Sequence, residues 1–422
     1  MLPTSIKELG FIPIFMYNLD YLDNKNVQLE NENKTHLYGE VIGFTMTNLT
    51  DTIELLKGFD IVAFIPSGDD DTIDVDYFSN LFSTLANPLE TSLCRRDKYH
   101  MQEAIRKCGL KNIHQRRCSR EEDIIGFVSE NPNIQYVIKP VFGSSTEDVY
   151  LCSTIETLLE KYSIIMQSDL NHYDISNKSC LIQEYIDGEE WIVNSISRNG
   201  IHKIVNVMKY KKACVNGRHF TYQETRIIDP KCVPLELYIY AINVLNALDF
   251  KTGAGHAEIK MSSKGPCLIE IGARVGGGQR RNFIQKCIVP CKGESAGYDQ
   301  EIAHLYAYCS QELFDKIPSL YSVCKVGATV FCNSLYDNIV WKNIYIKELL
   351  IKLAETVTVQ DITYSYSENK KIVKTCDFYT DLIDFDIVCD NETHLEQAIQ
   401  LIRDWEISLL DISYIHCDTI TN

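Results

Sequence analysis

At 422 residues, 45% of them hydrophobic and 23% charged, the chain exceeds one small domain and is too apolar for extensive disorder. Its formal charge of -17, with no block rich in lysine or arginine, argues against nucleic acid as a partner. The sixteen cysteines form no CxxC pair, the N-terminus lacks a basic and then apolar leader, and no apolar run approaches the roughly 20 residues of a membrane span, so a soluble cytoplasmic protein with reduced thiols and no membrane partner is expected.

Short apolar runs alternate with helical patterns through the first hundred residues: FIPIFMY at 11–17, VIGFTM at 41–46, and IVAFIP at 61–66 running into Ser67-Gly68-Asp69. The alternation predicts an open α/β unit over 1–108, closed by a helix from Arg96 to Cys108 with Gly109 as its C-terminal cap. A small mixed lobe follows at 109–195, with strands expected at YVIKPVF (136–142) and LIQEYI (181–186), each leading into a glycine turn. The remainder, 196–422, is read as a larger lobe with strands at 203–209, 256–261 and, most clearly, CLIEIGARV at 267–275 before Gly276-Gly277-Gly278. Its last part, from about residue 315, carries VGATVFC at 326–332, IVKTCDF at 372–378, FDIVCD at 385–390 and a helix at about 393–407, which predicts a β-rich subdomain.

Chemistry concentrates in His256-Ala257-Glu258-Ile259-Lys260 and in the run ending Glu270-Ile271-Gly272-Ala273-Arg274. Alternation along a strand sets His256, Glu258 and Lys260 on one face, and Glu270, Gly272 and Arg274 on one face of the next. Glu/Lys alternation alone most often marks a solvated sheet face. A glutamate inside CLIEIGARV, however, is costly without a cation, and paired carboxylates plus phosphate oxygens are what Mg²⁺ prefers. The alternative H-x-E…P-C-x-x-C zinc deaminase pattern fails because residue 270 is glutamate where a cysteine is required. Lys139-Pro140 before Gly143-Ser144-Ser145-Thr146 reads either as a hairpin with a surface lysine or as a phosphate-holding turn, and no Walker A sequence occurs. In Gln183 to Trp191, a strand end whose backbone can meet an adenine edge turns at Gly188 into Glu189-Glu190. No Gly-x-Ser-x-Gly elbow supports nucleophilic hydrolysis.

Taken in order, Lys98, Lys139, Gln183 to Glu190, Glu258, Glu270 and Arg274 resemble the ATP-grasp superfamily over about residues 90 to 280. The ending CLIEIGARVGGG and the tail VKTCDFYTDLIDFDIVCD are similar to its L-amino-acid ligase, or carboxylate-amine ligase, branch. The resemblance implies a mixed α/β and α+β fold of ATP-grasp architecture, with a reduced N-terminal open α/β domain, a two-lobed nucleotide-binding body and a small β-rich C-terminal lobe. It implies ATP and one or two Mg²⁺ ions, Mn²⁺ being able to substitute, and ADP-forming activation of an amino-acid carboxylate as an acyl phosphate for attack by an amine. Transfer to a carrier-protein thiol, or ATP binding without catalysis, are the alternatives, and a homodimer is a family-level expectation.

By the same resemblance Lys98 and Lys139 contact phosphates beneath a loop of Gly143, Ser144, Ser145 and Thr146. Glu184, Tyr185 and Ile186 face adenine and Glu190 the ribose. Glu258 and Glu270 hold the metal, and Arg274 faces the acyl phosphate, so that Arg274, Glu270 and Lys139 carry catalysis. His256, Gly276 and Gly277 line the amino-acid side. Two departures stand out: Gly272 replaces the asparagine common two residues after the bridging glutamate, and the chain begins at what looks like the first helix, SIKELGF.

Overall fold

A computed structural model describes residues 2–21, 38–143, 146–167, 179–277, 281–292, 297–337, 340–342, 346–355, 357–367 and 369–417. Near the N-terminus a helix, Leu2–Glu8, precedes two parallel strands, β1 (Ile14–Asn18) and β2 (Glu40–Phe44). Ile42, Phe44, Leu56, Phe64 and Phe78 form their core. IVAFIP, expected as a third strand, runs through 61–66 without a ladder, although Phe64 still reaches that core. The predicted helix at 96–108 is Lys98–Lys107: Asp97 stands before it in extended backbone and accepts from the amides of Tyr99 (2.8 Å) and His100 (3.0 Å), which fixes where the helix starts. Its Met101 and Ile105 enter the main core rather than the N-terminal one, so the helix belongs structurally to the body that follows.

The small lobe is an antiparallel sheet ordered β3-β6-β4-β5, from β3 (Gln115–Cys118), β4 (Tyr136–Pro140), β5 (Tyr150–Cys152) and β6 (Cys180–Glu184). Helices Glu121–Glu130 and Ile155–Gln167 cover one face through Ile124, Phe127, Leu158 and Ile165, all fully buried. The sheet ends at Glu184. A boundary at 195 therefore cuts β7 (Glu189–Arg198), whose ladder runs with the large sheet.

That large sheet is ordered β11-β10-β7-β8-β9-β12-β14-β13 and antiparallel throughout. Its further strands are β8 (Ile201–Val215), β9 (Arg218–Ile227), β10 (Gly253–Ser262), β11 (Gly265–Gly272), β12 (Val326–Cys332), β13 (Thr358–Tyr364) and β14 (Ile383–Cys389). Asn216 and Gly217, both with positive φ (51° and 80°), turn β8 into β9, as a two-residue hairpin of the favoured twist demands. The C-terminal strands thus extend the central sheet while keeping their own core, where Val330, Phe385 and Ile387 meet Leu395 and Ile402 of the helix Glu392–Cys417. IVKTCDF contributes no named strand; the third C-terminal strand is β13 instead, a half-exposed edge.

The two faces of the sheet differ in chemistry. On β10, Ala257 and Ile259 enter the main core, while His256, Glu258 and Lys260 line a cavity of about 660 Å³. Across the same face follow Glu190 and Ile192 on β7, Met208, Tyr210 and Lys212 on β8, Tyr222 on β9 and Phe331 on β12. The small lobe roofs this cavity with Val137, Lys139 and Gln183, and the N-terminal segment closes a side with Asp69 and Asp70.

Candidate active site

The centre of the site is a register fact. Glu258 and Glu270 are direct partners across the β10/β11 ladder, His256 faces Gly272, and a bulge between Glu258 and Ile259 keeps Ile269 as an extra residue beside them. Both carboxylates open on the cavity. Two acids so close cannot share one charge state without cations. Burial raises the proton affinity of Glu258, with Lys212 opposing and Glu190 and Glu270 adding to the rise. Glu270 is desolvated too, but Lys98 and Lys139 outweigh that effect and hold it well below the carboxylate range.

The cations come from separate elements. Lys98, first residue of its helix, sets Nζ 3.2 Å from Glu270 Oε2 and donates to the Gly143 carbonyl at 2.6 Å. Lys139 on β4 is so buried that its ammonium falls to about 8 even with Glu270 nearby. Lys212 on β8 meets Glu190 Oε1 at 2.5 Å and lies 4.6 Å from the ring centres of Tyr210 and Tyr222; burial disfavours its charge, but Glu190 more than restores it. Tyr210 lines the cavity close enough to Glu258 to interact with its carboxylate. Lys260 ties the strap between β6 and β7 to β10, donating to the Ile186 carbonyl at 2.9 Å and lying over the Tyr185 ring.

Along this strap Glu184 donates its amide to His114 O and accepts the His114 amide on Oε1, both at 2.9 Å, while the Tyr185 amide goes to Gln135 O. The Glu184 carboxylate is thereby held by His114, just before β3, and Glu184, Tyr185 and Ile186 all border the cavity. Gly188 closes the strap with φ at +97°, and a Cβ there would sit 2.1 Å from the Met261 carbonyl oxygen.

Arg274 is aimed by Asp69: Nε and Nη2 donate to Asp69 Oδ2 at 2.9 and 2.6 Å, and Nη1 donates to Val275 O at 3.0 Å. This pairing explains Gly272. A Cβ at that position would lie 2.7 Å from Asp69 Oδ1 and 3.3 Å from Arg274 Cζ, so the ion pair fills the space an asparagine would need. His256 Nδ1 meets Asn194 Oδ1 at 2.8 Å, and Asn194 Nδ2 donates to Asn206 Oδ1 at 2.6 Å, which leaves the Asn194 oxygen for the imidazole; the network thus assigns the imidazole proton to Nδ1 and turns Nε2 toward Glu258 Oε1, 3.9 Å away. Burial and then Arg274 hold His256 down to about 3, which makes it a neutral group. Gly276 gives its amide to Gln300 Oε1, whose Nε2 braces the carbonyls of Ser195 and Gly255, while Gly277 stays open to the cavity.

Lys98, Lys139, Gly143, Thr146, Glu184, Tyr185, Ile186, Glu190, His256, Glu258, Glu270, Arg274, Gly276 and Gly277 accordingly line one cavity. Ser144, Ser145 and Gly278 fall outside the described residues. Asp69, Tyr210 and Lys212 were not anticipated. Asp69 sits in an acidic loop, Lys212 in a run with Lys209 and Lys211, and only strand alternation with Met208 and Tyr210 could have singled out Lys212.

The donor set fits a hard divalent cation. Glu258 and Glu270 offer carboxylate oxygens from adjacent strands, the donor type that Mg²⁺ takes together with phosphate and water.

A family model described as ATP-grasp domain matches residues 133–282. The chain carries an ATP-grasp domain. Dapdiamide A synthase of Enterobacter agglomerans is 27% identical over 341 residues, covering 79% of this chain and 76% of the relative. Among solved structures, the L-amino acid ligase of Bacillus licheniformis superposes with a TM-score of 0.71 at 13% identity, over 96% of this chain and 93% of that one. The biotin carboxylase domain of 2-oxoglutarate carboxylase from Hydrogenobacter thermophilus, solved with MgADP, gives 0.59 at 12% identity, over 92% and 83%. The ATP-grasp fold therefore extends well beyond the 150 or so residues of the family model, on both sides. No helix among the described residues is long and apolar enough to cross a membrane.

Proposed function

We propose that the chain is an ATP- and Mg²⁺-dependent, ADP-forming carboxylate-amine ligase that joins the carboxylate of an amino acid to an amine. The observation that carries this reading is Glu258 opposite Glu270 in a cavity shared with Lys98, Lys139 and Arg274. It agrees with the synthase and ligase names of the two relatives above. Glu258 and Glu270 would hold the metal, which would supply positive charge against the phosphates.

The chain's own residues do the rest. Ile186 and its strap receive the base, held against β10 by Lys260. Lys139 and Lys98 hold phosphate charge, and Lys98 at the first turn of its helix adds the helix N-terminus to that field. Arg274, already oriented on Asp69, takes the carboxylate that attacks the γ-phosphorus and then stabilises the oxyanion that forms as the amine adds. Attack at the γ-phosphorus breaks its bond to the β-phosphate oxygen and releases ADP; the amide C–N bond then forms as the C–O bond to phosphate breaks, and phosphate leaves with the proton lost by the amine. His256, neutral and buried, borders the reacting carbonyl without adding charge to it.

Purified protein given ATP, Mg²⁺ and pooled amino acids should release ADP and phosphate in an amino-acid-dependent way. AMP with pyrophosphate would overturn the acyl phosphate route, and ATP binding without turnover would favour a non-catalytic role. Glu270→Gln should lower turnover at least about 100-fold, since a neutral amide weakens both the cation site and the Lys98 contact.

A further inference from the structure

The end of the cavity formed by β9, β12 and the short 3-10 turn Phe378–Thr380 differs from the rest. Tyr222, Phe331 and Phe378 make a closed triangle of rings, with centroids 5.7 Å (Tyr222–Phe331), 5.8 Å (Tyr222–Phe378) and 5.8 Å (Phe331–Phe378) apart. Tyr222 also meets Tyr210 edge-on at 5.0 Å, and Tyr210 lines the cavity together with Glu258, so the wall continues toward the carboxylates. All four rings line the cavity, and Tyr222 and Phe378 remain only partly buried. Two polar groups at this end are already engaged: the Thr329 hydroxyl donates to Asp386 at 2.6 Å, and the ammonium over Tyr210 and Tyr222 is held by Glu190. Partly covered rings packed against one another form a surface for an apolar group.

Two of the three reactants have places elsewhere. In the ligase reading the nucleotide is assigned to Lys139 and Ile186 under the small lobe, its ribose reaching the wall's near edge at Glu190, and the activated carboxylate is assigned to Arg274, beside Asp69. We infer that the aromatic wall of Tyr222, Phe331 and Phe378 receives the side chain of the amine substrate, and that this substrate is an amine bearing a bulky apolar group, aliphatic or aromatic. The inference rests on the ligase reading above and names the substrate that reading leaves open. Burying a side chain of leucine or phenylalanine size there favours it over glycine by about 10- to 100-fold.

The test pairs every proteinogenic amino acid with every other, measures phosphate release, and reads from tandem mass spectra which residue supplied the amine. Leucine, isoleucine, valine, methionine, phenylalanine or tyrosine should supply it, with KM at least about 10-fold below those of glycine, aspartate and lysine. Phe378→Ala should raise the KM of the preferred amine about 10-fold and leave the KM values for ATP and for the carboxylate substrate within about two-fold, and Phe378→Leu should recover most of the loss. A preference for small or charged amines overturns the inference, as does a Phe378→Ala defect confined to ATP, which would make the wall the nucleotide's. The wild-type ranking decides the matter even if Phe378→Ala does not fold. Absence of turnover with any pair overturns the ligase reading itself, and this inference with it.

Discussion

Single residues here are governed by what burial does to charge. His304, on the helix Gln300–Cys309, is fully buried, accepts the Ala254 amide on Nδ1 at 2.8 Å, and has its Nε2 without a partner. Burial holds its imidazole down to about 3. An unfolded histidine titrates near 6.5, so the unfolded chain binds the proton first; the stability is complete above about pH 6.5 and declines as pH falls toward 3. At pH 5 this one residue should cost about 2 kcal/mol relative to pH 8. Urea midpoints at the two pH values should therefore lie closer together in His304→Asn than in the parent, and an unchanged gap would place the acid sensitivity elsewhere. Nothing in the sequence around His304 marks it as buried, whereas Glu270 was conspicuous because a carboxylate interrupts CLIEIGARV. The Asp69–Arg274 pair was illegible for a different reason: 205 residues separate its members, and only the packing of the N-terminal segment on β11 joins them.

At the scale of elements, legibility follows burial pattern. Strands β10 and β11 could be read in advance because one face is core and the other functional, which leaves alternation in the sequence. The edge strand β13 could not, since TVQDITY is half exposed and polar, as an edge needs to be. IVAFIP misled in the opposite sense: it is apolar enough for a strand but forms no ladder. The strap from β6 to β7 offers the sharpest test of an element. Gly188 combines a φ of +97° with contact to the Met261 carbonyl, so a side chain there is both strained and obstructed. Gly188→Ala should destabilise the protein by at least about 2 kcal/mol and shift the Ile186 carbonyl off Lys260. Calorimetry would show the lower melting temperature. ATP titration would show weaker binding, and a variant with lowered stability but unchanged ATP affinity would separate the strap from the nucleotide.

Over the whole molecule, three structural parts must meet for the site to exist: Asp69 from the N-terminal segment, Lys139 from the small lobe, and the carboxylates of the large sheet. The net charge of -17 adds a demand, because ATP approaches a repelling surface and is held only by cations gathered inside. The small lobe is joined to the large sheet above this cavity by Arg218 on β9, whose guanidinium lies 4.8 Å from the ring centre of Tyr150 on β5, while the Tyr150 hydroxyl donates to Asp148 at 2.8 Å. Tyr150 lies on β5, which pairs with the strand β4 that carries Lys139, so this contact ties that hairpin to the large sheet. A cation over a partly buried ring contributes about 1 kcal/mol. If closure and nucleotide binding are coupled, Arg218→Ala should raise the KM for ATP about five-fold, the ratio that 1 kcal/mol represents, with kcat at saturating ATP little changed because bound nucleotide itself completes closure. Arg218→Lys keeps the cation without the planar stacking and should fall between the two. A kcat loss at unchanged KM would instead show that Arg218 acts on the reaction and not on closure.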